Sequence, residues 1–152
     1  MNLPIVIRRA VALLVAGLIT AWAPVSAPAA ERTTPTAPPE YLALKNPVAL
    51  TPDILKEAEA LYNKHKCKKC HGANGKGRGS ATKGMKIKPR DYTDQGVMEK
   101  LSDGHLYWII LNGSDKDTTE MEGFKGKVTE EQAWKLIHYI RAFARQPTGG
   151  GS

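Results

Sequence analysis

Two thiols and an imidazole stand together at Cys67-Lys68-Lys69-Cys70-His71. Thiols three positions apart, followed at once by histidine, read as an attachment site for a c-type haem. Each sulfur can add across one vinyl group to form a thioether, and the adjacent imidazole is placed to ligate the iron. Two other chemistries use Cys-x-x-Cys. A redox dithiol belongs at a helix start after a strand, and no strand-like run precedes Cys67. A zinc site needs more ligands at close spacing. Cys67 and Cys70 are the only cysteines, and His65, His105 and His138 do not form a zinc-finger spacing.

Iron held by His71 has a second axial position to fill. The candidates are Met85, Met98, Met121, His65, His105, His138 and the lysines. His65 lies two residues before Cys67, on the attachment side. Met98 suits a helix interior as a packing residue. His105 and His138 read as surface histidines. Met85, between Gly84 and Lys86, stays open as a ligand. Met121 is the preferred one: it lies fifty residues after His71, in an irregular segment long enough to wrap the far face. Its plainer reading is a thioether packed on haem without ligation.

The elements that must position these residues are helical. Thr51-Pro52-Asp53 reads as a cap, a first-turn proline and an acid at the positive helix end. The helix runs to about Lys64, with Ile54, Ala58, Leu61 and Tyr62 on one face. Gly72, Gly75, Gly77 and Gly79 then form a loop, expected to pass close to the haem where side chains would collide with it. Thr93 or Asp94 caps a short helix through Leu101. Ser102-Asp103 opens a helix that ends at Asn112-Gly113. Residues 114–127 read as loop. Thr129 with Gln132 makes a capping signal, and the last helix runs to about Arg145 with Leu136, Ile137, Ile140 and Phe143 in its apolar stripe. The fold class is therefore all-α, with about four helices and long loops wrapped around one covalent haem. Loops of that length need something to fill the space between them.

Before this domain, at 51–146, stand two other segments. Residues 1–30 read as a signal peptide: Arg8 and Arg9, an apolar run from Ala10 to Ala23, then small residues suited to cleavage. The alternative is an uncleaved membrane anchor through residues 5–23. Either way the domain is exported, which places it in the periplasm or on the outer face of the inner membrane. Residues 31–50 read as a Pro/Thr-rich disordered linker, and 147–152 as a disordered tail.

Net charge is +7, and its distribution is uneven. From Leu61 to Arg90 there are ten Lys and Arg residues and no acid; from Asp91 to Glu131 there are ten acids. Such a run is an ordinary solvated loop or a patch that steers an acidic redox partner to the haem edge. No nucleic-acid-binding motif accompanies it.

The ordered set Cys67-x-x-Cys70-His71-Gly72, Gly75-Lys76-Gly77, Pro89-Arg90-Asp91-Tyr92, Asn112-Gly113, Met121-x-Gly123-Phe124, Thr129-Glu130-Glu131 and Tyr139-Ile140-Arg141 resembles the class I monohaem cytochrome c family, in its bacterial periplasmic branch. The likeness covers about Thr51 to Arg145. It implies the cytochrome c fold, one covalent haem c, and His71 and Met121 as iron ligands, with Glu122 where the family often has proline. It implies that the first and last helices cross, through Ala58 or a neighbour against Tyr139 or Ile140. Tyr62 stands one residue further from the haem motif than the aromatic of common relatives, so one extra residue must be accommodated there. Pro89 is the implied acceptor of a hydrogen bond from His71. Arg90, Tyr92 and Trp108 are the implied contacts for the haem propionates. The function implied is electron transfer between proteins, not catalysis. The alternatives are an electron-entry subunit of an oxidoreductase complex, and a gas-binding haem with a labile sixth site.

Overall fold

The computed structural model describes residues 34–114, 119 and 121–145. The expected export segment at 1–30 and tail at 147–152 lie outside them. The described residues hold six α-helices: α1 Pro39–Leu42, α2 Pro52–Lys64, α3 Lys68–His71, α4 Gln95–Met98, α5 Asp103–Asn112 and α6 Glu130–Arg145. Among those residues there is no strand, only isolated bridges at Gly113–Glu122 and Lys125–Val128. The all-α expectation is met. The four expected helices are α2, α4, α5 and α6; α1 and α3 are single turns in addition.

The caps explain the boundaries. Thr51 Oγ1 accepts from the Ile54 amide at 3.2 Å, Asp94 Oδ1 from Val97 at 3.0 Å, and Ser102 Oγ from His105 at 3.1 Å. At α6 the capping box is reciprocal: the Gln132 amide donates to Thr129 Oγ1 and the Thr129 amide to Gln132 Oε1.

Helices α2 and α6 pack together, as the family likeness implied. Ala58 is fully buried, and the Tyr62 ring meets Tyr139 at 5.2 Å and Phe143 at 5.9 Å. Arg141 ties α6 to the turn before α5. Its Nε and Nη2 donate to Asp103 Oδ1 at 2.9 and 2.8 Å, and its other contacts are the carbonyls of Met98 and Leu101.

Helix α2 ends in a Schellman motif. The Cys67 amide donates to the Tyr62 carbonyl and the Lys66 amide to that of Asn63, both at 3.0 Å. The left-handed position falls on Lys66 (φ 60), where glycine is usual. This turn absorbs the extra residue between Tyr62 and the haem motif.

Two sequence expectations are corrected here. Residues 34–50 are not a free linker. Tyr41 stacks on Tyr107 at 6.3 Å, Asn46 Nδ2 donates to the Trp134 carbonyl at 3.0 Å, and Ala37 is buried. His105 and His138, expected at the surface, hold this segment: each Nε2 donates to a backbone carbonyl at 2.7 Å, of Pro35 and Val48 respectively. Proline-rich composition pointed to an extended, disordered segment and showed neither these partners nor the helical turn α1. Second, the glycine loop is required by protein contacts rather than by the cavity described below. A side chain at Gly77 (φ +67) would strike the Pro89 carbonyl, and one at Gly79 the Lys69 carbonyl.

Candidate haem site

The motif folds as one helical turn. The His71 amide donates to the Cys67 carbonyl at 2.9 Å, so the two thiols and the imidazole project from consecutive positions of α3. Tyr62 fixes the end of that turn by donating its hydroxyl to the Gly72 carbonyl at 2.8 Å. The sequence pointed to Tyr62 only as a packing residue.

Cys67, Cys70 and His71 open onto one cavity of about 350 Å³. Its apolar walls include Ile87, Leu106, Ile110, Leu136 and Ile140. Met121 and Phe124 line it from the segment after α5, and Met85 from the loop before Pro89. Met98 does not: it is 1% exposed, in the core beneath α6. Burial pushes the Cys67 thiol up to about 11. A thiol held protonated is the reverse of an activated redox dithiol, and among the described residues no group of three metal-binding side chains forms a zinc site.

The His71 ring is gripped at both nitrogens. Nδ1 lies 3.4 Å from the Arg90 carbonyl, and Nε2 lies 3.1 Å from the Tyr92 hydroxyl. With the proton on Nδ1, the Nε2 lone pair accepts from Tyr92; it is the lone pair iron would take, and the hydroxyl would then have to give way. Two assignments shift accordingly. The carbonyl in reach of His71 is that of Arg90, one residue beyond Pro89, while Pro89 lines the cavity. Tyr92, expected at the propionates, is instead stacked on the His71 ring.

Trp108 is not brought to the site. It lies on the side of α5 turned away from Leu106, Ile109 and Ile110, the three α5 residues that line the cavity. Arg90 is brought there. Burial holds its guanidinium below the usual arginine range, and its side-chain partner is the Thr34 hydroxyl at 2.6 Å. Among the described residues no carboxylate lies within ion-pair distance of it. A half-buried cation lining an apolar cavity suits an anionic ligand, and the propionates of a haem would supply one.

Backbone contacts hold the Met121 segment. The Ser114 amide donates to the Met121 carbonyl, Phe124 to Ile110, and Lys125 to Leu111, all at 2.9–3.0 Å. Glu122 is exposed and pairs with Lys127 at 2.6 Å. His65 was set aside as too near the attachment. The structure puts its ring edge-on to Phe124, 6.2 Å between centroids, with Nε2 buried and unpartnered. The left-handed turn at Lys66 allows this, and nothing in the sequence pattern showed it.

Thiols, imidazole, thioether, apolar walls and a guanidinium with no carboxylate partner among the described residues, all around one cavity, fit a haem. Residues 53–140 match the family model described as "Cytochrome C oxidase, cbb3-type, subunit III". The chain belongs to this family of c-type cytochromes. The match takes in the haem motif, the cavity and most of α6, so the cytochrome domain is a haem electron-transfer protein. A chain of the reducing HAO-like protein complex of Kuenenia stuttgartiensis is similar in structure, with TM-score 0.54 and 25% identity over 67% of the present chain. The cytochrome spans 50% of the length of that chain. No curated protein matches it.

Proposed function

We propose that this cytochrome is an exported carrier of single electrons, holding one haem c by thioethers at Cys67 and Cys70, with His71 and Met121 as axial ligands. The observation that carries this reading is the convergence of those four side chains on one apolar cavity. Haem bound there supplies a one-electron Fe(III)/Fe(II) couple, and two protein ligands leave no axial position for a substrate.

The chain's own residues set the properties of that couple. Arg90 fixes the His71 tautomer through its carbonyl and offers its guanidinium to a propionate. The soft Met121 thioether favours the reduced state. The apolar walls exclude water and disfavour the extra positive charge of the oxidised state. Lys66 and Lys69 line the cavity beside the cysteines. They are exposed, and among the described residues neither is in an ion pair. They form a cationic rim suited to an acidic redox partner.

A second reading, the electron-entry subunit of a periplasmic oxidoreductase complex, is favoured by the family description and by the solved relative, which is part of a protein complex. The two separate by native size-exclusion chromatography: a carrier elutes at its own mass, a subunit with its complex. Neither needs a helix through the membrane. Among the described residues no helix is long and apolar enough to cross one, and the apolar run at 10–23 serves export or anchoring.

The test of attachment is the mass of the denatured protein after expression with haem-maturation machinery. One haem should stay bound in the parent, and none in the double variant Cys67→Ala/Cys70→Ala. Haem lost from the parent on denaturation would overturn the covalent assignment.

A further inference from the structure

The segment before α1 reaches the haem cavity. Pro35 is part of the cavity wall, together with Arg90. Thr34 Oγ1 accepts from Arg90 Nη2 at 2.6 Å, and the next carbonyl, that of Pro35, accepts from His105 Nε2 at 2.7 Å. Two residues further on, Ala37 is 1% exposed. In α5, a side chain at Gly104 would strike the Tyr41 carbonyl, so the segment runs flush against that helix.

These contacts do more than tether a terminus. Arg90 is half-buried, carries a fork of donors, and among the described residues has a neutral hydroxyl as its side-chain partner. A hydroxyl accepting at one Nη fixes the plane of the guanidinium without neutralising it. The rest of the fork stays directed by that contact, and its full charge stays in the cavity.

We infer that the Thr34–Pro35 strap is a working wall of the haem site, in which Thr34 is a positioning residue for Arg90 and His105 latches the strap in place. This rests on the haem reading above. With the strap latched, the guanidinium is held beside the haem and water is kept from that wall. Both effects raise the reduction potential, because a nearby cation and a dry wall each disfavour the oxidised state. Released, the arginine turns to solvent and the wall is wetted.

The test is an equilibrium redox titration of the full, haem-loaded chain and three variants. Thr34→Val keeps the shape and removes the acceptor; His105→Phe removes the latch; Thr34→Ser restores the acceptor. At a fixed ambient potential, the Fe(II)/Fe(III) ratio should fall threefold to tenfold in Thr34→Val and His105→Phe, tenfold being about 59 mV for one electron. Thr34→Ser should match the parent. If Thr34→Val and His105→Phe load haem and keep the parent ratio, even with a lower unfolding midpoint, the strap is merely structural and the inference fails. A parent that takes up no haem would instead overturn the haem reading itself.

Discussion

The rings of Tyr92 and His71 stack 4.5 Å apart, 12° from parallel, with the tyrosine hydroxyl 3.1 Å from Nε2. The Arg90 carbonyl, 3.4 Å from Nδ1, can only accept, so the His71 proton sits on Nδ1 and Nε2 is the acceptor. Tyr92 thus packs against the imidazole and limits its orientation.

It follows that Tyr92→Phe should keep the stacking surface and lose only the hydroxyl. Haem attachment and the axial-ligand features of the absorption spectrum should persist in the variant. A spectrum changed to that of a different ligand set would mean that the tyrosine itself binds iron.

Lys66 occupies the left-handed position of the Schellman turn. A non-glycine residue there costs on the order of 1 kcal/mol. Lys66→Gly should therefore raise the free energy of unfolding by about that much, read as a higher urea midpoint with an unchanged slope. Lys66→Ala should leave it near the parent value.

Arg141 joins α6 to Asp103 and to the carbonyls of Met98 and Leu101 while mostly shielded from water. Arg141→Ala strands the half-buried Asp103 carboxylate and two carbonyls, and should lower stability by about 3 kcal/mol in urea unfolding. Arg141→Lys should recover little, because one ammonium cannot reproduce the fork.

The cationic rim predicts a salt effect of opposite sign for opposite reagents. Oxidation by hexacyanoferrate(III) should slow as ionic strength rises from 0.01 to 0.15 M, where the Debye length shrinks from about 30 to about 8 Å. A cationic cobalt complex should speed up. Lys66→Glu/Lys69→Glu should weaken both trends; equal rates in all conditions would remove the steering role.

Much of this was legible in residue order. Thr51, Asp94, Ser102 and Thr129 mark helix starts because their side chains satisfy amides within three residues, a local rule. Cys67-x-x-Cys70-His71 is legible for the same reason: its chemistry depends on sequence neighbours. What was not legible depends on contacts far apart in the chain. The strap is held by His105 and His138, seventy and ninety residues away from the carbonyls they bind, and a Pro/Thr-rich stretch carries no sign of such partners. Trp108 was expected at the propionates from the family likeness alone, and it lies on the side of α5 away from Leu106, Ile109 and Ile110, which line the cavity. The glycines were expected near haem because loops there are tight, yet their close neighbours are the Pro89 and Lys69 carbonyls.

We propose Met121 as the ligand that closes the second axial position of the iron. Met85 and His65 line the same cavity and are the rivals to exclude. The most direct measurement is the far-red absorption of the ferric protein, where Met–Fe(III) ligation gives a weak band. The band should be present in the parent, persist in Met85→Ala and His65→Ala, and vanish in Met121→Ala. A parent without the band, or a Met121→Ala variant that retains it, would rule out Met121 as the ligand.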